Sequence, residues 1–313
     1  MAELGVFKRN DAIYVNPNTQ NGKHVDIAIT VRGSDFYFAW CAVMGTVALG
    51  IIISSFMKPR TDRIFFYLTA GVNMTACIAY FALGSNLGWT PIDVEWTRGQ
   101  ADVRGINREI FYVRYIDWFI TTPLLLLDIL LTAGLPWPTI IWTVFLDWIM
   151  IVTGLVGALV KSRYKWGFFS FGCAAMFYIF YNVAWEGRIH AKRLGNDVYR
   201  VYLICGVWTL FLWLCYPIAW GVCEGGNVIA PDSEAVFYGV FDFCAKPVFS
   251  IMLIVGHWNI SPARLGLRIR DVDEDPVLYE KKDRDAPPET ADPDAVHNGH
   301  TNGSATTTGA QTA

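Results

Sequence analysis

Charge is what this chain has least of. Of its 313 residues, 17% are Asp, Glu, Lys or Arg and 53% are hydrophobic, whereas a soluble domain carries about 25% charged residues. The deficit points to a membrane protein before any segment is considered. The formal net charge is −3, so there is no basic excess of the kind that binds nucleic acid, and nucleic acid is not expected as a partner. Closely spaced cysteines are missing too. Cys41, Cys77, Cys173, Cys205, Cys215, Cys223 and Cys244 are scattered, mostly within apolar runs. That spacing excludes a disulfide framework or a zinc site and reads as small packing residues, with no metal expected. Residues 1–34 lack an apolar core and carry Lys8, Arg9, Asp11, Lys23, Asp26 and Arg32. They are no cleavable signal peptide, so the first spanning helix acts as its own insertion signal. No enzyme active site is visible.

What the chain does have is seven long apolar runs, at 35–57, 62–84, 109–132, 138–160, 166–187, 199–222 and 235–257. Each reaches the roughly 20 residues that span a bilayer. The fold expected is an all-α, seven-helix integral membrane bundle, in a plasma membrane. Leu135-Pro136-Trp137-Pro138 makes a tight turn, and 85–108 is Gly-rich and long enough for a hairpin or an ordered cap. Three parts follow: an extracellular segment 1–34, a seven-helix domain 35–257 and a cytoplasmic tail 258–313. The tail's Pro/Asp/Glu and Thr/Gly/Ala/Asn composition buries no core and is expected to be disordered. Lys58, Arg60, Arg63, Arg188, Lys192, Arg193, Arg200, Arg264, Arg268 and Arg270 gather at one end of such a bundle, and Lys161, Arg163 and Lys165 at the other. The balance places the N-terminus outside. Asn259-Ile260-Ser261 and Asn302-Gly303-Ser304 then lie inside, where they are chance matches to a glycosylation pattern.

An ionisable residue inside a span costs about 2.5–3.5 kcal/mol on insertion scales and is a functional hypothesis by default. The seventh run holds Asp242 and Lys246, four residues apart and so on one helix face. The third holds Arg114, Asp117 and Asp128. Eleven residues make about three turns plus 20°, so Asp117 and Asp128 share a face about 16 Å apart, with Thr121 between them. Structural ion pairs between the two helices are one reading. A proton or ion pathway is the other, and it accounts better for one lysine facing two aspartates. Asp128 has no basic partner at its level and is expected to stay neutral, which suits a proton donor. A lysine in an apolar pocket can also condense with an aldehyde.

These residues carry a resemblance. Arg114-Tyr115-Ile116-Asp117-Trp118 followed by Thr121-Thr122-Pro123-Leu124-Leu125-Leu126-Leu127-Asp128 closely resembles helix three of the microbial (type 1) rhodopsins that pump protons. Trp213, Tyr216, Pro217 and Trp220, the Asp242 to Lys246 spacing, and Met150, Thr153 and Gly154 match the family over residues 35–257. Lys246-Pro247 and the soluble ends resemble its fungal branch. The resemblance implies all-trans retinal held by Lys246 as a protonated Schiff base. It implies Asp117 as primary counterion and proton acceptor, Asp242 as second counterion and Asp128 as proton donor. Thr121 would bond Asp117, and Arg114 would swing between the acceptor and the exit. Glu224 and Glu234 would form a release pair, with Tyr80 in the same exit network. The chromophore cage would comprise Trp118, Thr122 and Leu125 on helix three, Met150 and Gly154 on helix four, and Phe169, Gly172 and Met176 on helix five. Trp213, Tyr216, Pro217 and Trp220 on helix six and Ala245 on helix seven would close it.

Three positions depart from the family pattern: Phe169 stands where a Trp is common, Gly172 and Cys173 make helix five less polar, and Pro247 removes a backbone donor beside the lysine. The function implied is a light-driven outward proton pump in a lipid bilayer, with a slow-cycling photosensor as the alternative and a homo-oligomer, a trimer, by analogy. A chloride pump would not keep an acid at Asp117, and a relative that has lost retinal would not keep Lys246.

Overall fold

The computed structural model describes residues 10–20, 22–94, 106–269 and 271. Among the described residues, seven helices are long and apolar enough to cross a membrane: α1 Val31–Ser55, α2 Ile64–Gly84, α3 Tyr112–Thr132, α4 Trp137–Leu159, α5 Lys165–Arg193, α6 Asn196–Gly225 and α7 Pro231–His257. They satisfy their own backbone groups, which a bilayer core cannot do for them. The third begins at Tyr112 rather than 109, because Glu109 and Ile110 belong to a strand. The fifth to seventh run longer than their apolar stretches. The tail expected to be disordered from 258 on is corrected over 258–269, where Pro262–Leu265 form a short 3-10 turn and Ile260 and Leu265 are buried; its residues 270 and 272–313 lie outside the described residues, as do residues 95–105 of the long loop.

Helix ends follow local chemistry. Thr30 caps α1, its side chain accepting the Arg32 amide. Gly134, at φ +64°, closes α3 in a left-handed turn that a side chain would strain. Pro136 precedes α4, and Pro231 starts α7 without wasting a helical donor.

Consecutive helices pack side by side, and α1 also packs against α7, which closes the ring. α3 runs through the middle: 72% of its apolar window is buried, against 22% for α1 and 28% for α4. The face shared by Arg114, Asp117, Thr121 and Asp128 therefore points into protein rather than lipid, and all four are buried. Buried polar pairs pin the helices: Asn73 Nδ2 donates to Ser250 Oγ and Asn182 Nδ2 to Thr143 Oγ1, each at 2.8 Å.

Three helices contain a widened π turn, at Asn182–Gly187, Gly221–Gly225 and Cys244–Val248. Such turns concentrate at functional sites. The third holds Lys246 and Pro247. Proline offers no amide, and Trp208 Nε1 donates to the Cys244 carbonyl in this turn at 2.9 Å. Pro247 is thus accommodated within a π turn.

One end of the bundle is capped. Strands β1 Thr19–Gln20 and β2 Lys23–His24 form a small hairpin, and β3 Thr90–Asp93 pairs antiparallel with β4 Asn107–Ile110. The N-terminal segment runs along β4, Ile27 exchanging backbone bonds with Asn107 and Glu109. It is tied to the start of α7 by Thr30, which donates twice to Asp232.

Candidate functional site: a buried lysine, an apolar cavity and a line of acids

Lys246 is 2% exposed. Its Nζ donates to Asp117 Oδ2 on α3 at 2.5 Å and to Asp242 Oδ2, one turn away on α7, at 3.0 Å. The two carboxylates differ in company. Asp242 also accepts from Tyr216 at 2.6 Å and from Tyr80 at 2.9 Å. Asp117 has only the lysine: its Oδ1 is buried and finds no partner among the described residues. Thr121 donates to the Asp117 backbone carbonyl at 2.8 Å. The expected Thr121–Asp117 bond thus goes to the backbone carbonyl, which a threonine inside a helix reaches one turn back. Tyr80 is a correction: it donates to Asp242 rather than to the exit groups, and Arg114 instead donates to Tyr37 of α1.

An apolar cavity leads away from Lys246, enclosing about 790 Å³ of empty space including its opening. Trp118, Thr122 and Leu125 of α3 line it with Met150 and Gly154 of α4. Phe169, Gly172 and Met176 come from α5, and Trp213, Tyr216, Pro217 and Trp220 from α6. Ala245 sits beside the lysine. Tyr115, Ile151 and Cys173 complete the wall; sequence reading had not given Tyr115 or Ile151 this place. Trp118 meets Tyr216 edge-on at 5.4 Å, while Phe169 stacks on Trp220 at 5.0 Å. Gly172 also lets α5 approach α4, since a Cβ there would lie 3.1 Å from Thr153 Oγ1. A slot with aromatic walls and a single amine at one end suits a conjugated aldehyde.

Arg114 and the glutamates form a second cluster at the capped end. Arg114 donates to Glu234 Oε1 at 2.5 Å, to Tyr37 at 2.9 Å and more weakly to Glu224 Oε1 at 3.5 Å. Its guanidinium lies 4.1 Å from the Tyr238 ring centre. Tyr115 and Tyr238 donate to Glu224 at 3.2 and 3.0 Å. Glu234 takes a second arginine, Arg108 of β4, at 2.5 Å. Arg108 is 1% exposed and also holds Asn227 Oδ1 and the Ile229 carbonyl. Sequence reading missed it because nothing in the loop's composition says that one of its arginines folds inward.

Asp128 lies on the other side of Lys246 along α3. It is fully buried, and neither carboxyl oxygen has a partner among the described residues. Asp147 of α4 was also missed, although the rule that flags an intramembrane acid applies to it equally. It is buried and pairs with Thr122 at 2.7 Å, across the cavity wall.

A bacteriorhodopsin-like protein family matches residues 33–260 of the chain. The chain belongs to that family. The opsin-like protein carO of Fusarium fujikuroi is 64% identical over 274 residues, 88% of this chain and 89% of that one. The light-driven proton pump LR (Mac) from Leptosphaeria maculans superposes with a TM-score of 0.71 at 31% identity, covering 75% of this chain and all of that one. Halorhodopsin, a light-driven chloride pump, superposes with a TM-score of 0.68 at 25% identity, covering 75% and 98%. This microbial rhodopsin is thus a multi-pass, retinal-type membrane protein with opsin-like fungal relatives, and its fold alone does not choose the ion.

Proposed function

We propose that this microbial rhodopsin is a light-driven outward proton pump, with retinal carried on Lys246. The observation that carries the reading is the environment of the Lys246 nitrogen, which sits between Asp117 and Asp242 at the end of an apolar slot. Light absorbed by the bound chromophore changes the geometry and proton affinity of that nitrogen. The protein's own groups decide where the proton goes. Asp242 is held by two tyrosines, so its lone pairs are committed. Asp117 has one carboxyl oxygen with no partner among the described residues and stands 2.5 Å from the nitrogen, which supports it as the acceptor. An acid at this position also argues against chloride, since the carboxylate occupies the place of an anion.

Beyond Asp117, Arg114, Glu224 and Glu234 form the exit. Two arginines neutralise Glu234 while tyrosines surround Glu224, so Glu224 is the member of the pair better placed to carry a proton. Asp128, in an apolar setting on the other side, is the donor that refills the nitrogen. The capped end carries the described N-terminal segment, from Asn10 to the start of α1. With that end outside, as the loop arginines and lysines favour, the acids line up from an inner donor to an outer exit. The plasma membrane is the expected location.

The test is the external pH of an unbuffered suspension of cells expressing the protein with all-trans retinal, under green light. Acidification abolished by a protonophore is expected, and Lys246→Ala should lose both colour and acidification. A coloured protein that moves no protons would make it a photosensor instead.

A further inference from the structure

Glu234 has an arginine on each oxygen. Arg114 of α3 donates to Oε1 and Arg108 of β4 to Oε2, each at 2.5 Å. The two arginines are held differently. Arg114 is shared: it also donates to Tyr37, reaches Glu224 Oε1 at 3.5 Å and lies over the Tyr238 ring. It stands about one helical turn before Asp117. Arg108 is fixed. Its backbone is paired with Ile92 of β3 on one side and Ile27 of the N-terminal segment on the other. Its second terminal nitrogen holds Asn227 Oδ1 at 2.5 Å and the Ile229 carbonyl at 2.6 Å. The neighbouring acids are engaged elsewhere, Glu109 with the Ile29 amide and Asp232 with Thr30. Among the described residues, the acid that Arg108 pairs with is Glu234.

Glu224 and Glu234 are close enough to compete for one proton, since a carboxyl oxygen of each lies within 4.8 Å of the other. A buried carboxylate that loses its cation neutralises itself by taking a proton. Were Arg114 the sole cation on Glu234, any movement of Arg114 toward Glu224 or Asp117 would strip that acid, and Glu234 would capture the outgoing proton. A guanidinium tied to Glu234, Asn227 and Ile229 from a paired strand does not follow such a movement. Each oxygen of Glu234 therefore has its own cation, and one of the two cations stays.

We infer that Arg108 is a positioning residue for proton release: a fixed countercharge that keeps Glu234 ionised throughout the cycle, so that the proton leaves by way of Glu224. The inference rests on the pump reading, with the two glutamates as the exit. Arg108 itself gains and loses no proton. Glu224 gives one up and is refilled, while Glu234 takes none.

The test uses the full-length, retinal-loaded protein in membranes at neutral pH, with flash photolysis and a pH-indicating dye in the medium. In Arg108→Gln, transfer to Asp117 should keep its wild-type rate while the proton appears in the medium at least about tenfold later. Arg108→Lys keeps a cation beside Glu234 but gives up the planar fork that ties Asn227 and Ile229 to it. It should restore prompt release, which a merely structural clasp would not allow. Light-minus-dark infrared spectra give a second readout. Arg108→Gln should show a transient protonated-carboxyl band, absent from the wild type, that the added change Glu234→Gln removes. Prompt release in Arg108→Gln, release in Arg108→Lys as late as in Arg108→Gln, or the lack of a Glu234 band would each overturn the proposal. Should Arg108→Gln not fold, the single variant Glu234→Gln decides: it should remove no protonated-carboxyl band present in the wild type, and loss of one overturns the proposal. A wild type that releases no proton after light would overturn the pump reading, and the infrared bands would still judge the pairing of Arg108 with Glu234 separately.

Discussion

Asp117, Asp242 and Asp128 are the same residue type and all buried, and their neighbours separate them. Asp242 accepts from two tyrosines and the lysine. Asp117 accepts from the lysine alone, and Asp128 from no described side chain. A carboxylate with all its lone pairs engaged gains little by taking a proton; one with a bare buried oxygen gains more. Substitutions should sort accordingly. Asp117→Asn is expected to abolish transport, because the acceptor beside the nitrogen is gone. Asp128→Asn is expected to leave the first transfer intact and to slow the return of a proton to the nitrogen by about a hundredfold. Time-resolved absorption in the two variants reads both steps. Equal effects on both steps would remove the distinction drawn between the two acids.

At the scale of elements, the cap built by the N-terminal segment and β3–β4 matters as much as the helices. It carries Arg108 to Glu234, and it buries Glu109. The Ile29 amide donates to Glu109 Oε2 at 2.9 Å, while Oε1 has no partner among the described residues. Burial, the main cause, pushes this carboxyl up to about 8; the Ile29 amide opposes the rise and Glu234 adds to it. The folded chain therefore holds the Glu109 proton to higher pH than the unfolded chain does. Its stability contribution is full below about 4.5 and is lost as pH rises through about 8. The melting temperature of the wild type should fall between pH 5 and pH 9 by more than that of Glu109→Gln, whose neutral amide does not titrate. Parallel profiles for the two proteins would show that Glu109 is ionised throughout. The π turn at Cys244–Val248 is the other decisive element: it accommodates Pro247 and sets Lys246 and Asp242 on one side of α7, facing Asp117.

For the whole molecule, the line of acids has a direction only once the ends of the bundle are assigned to sides of the membrane. Single cysteines at Tyr14, 80% exposed in the cap, and at Lys192, exposed at the far end of α5, report this directly. In intact cells an impermeant maleimide should label Tyr14→Cys above the wild-type background and reach Lys192→Cys only after lysis. The reverse pattern would turn the proposed pump inward.

The seven spans were legible in the sequence because an apolar run of some 20 residues is a local property. The Arg114–Asp128 face and the Asp242–Lys246 pair were legible because helical periodicity is local as well. Neither depends on where the rest of the chain lies. What only the tertiary structure decided was which partner each buried polar group finds. Arg108 reaches Glu234 from a loop 126 residues earlier. Tyr80 turns to Asp242 and Arg114 to Tyr37, where the sequence reading had put Tyr80 at the exit. Thr132 and His257 meet from α3 and α7, 125 residues apart. A hydrogen bond is a short-range, directional contact, so its partner is chosen by helix packing to within about an ångström. Hydropathy and periodicity say which face of a helix is turned inward, not which residue of another helix stands opposite it.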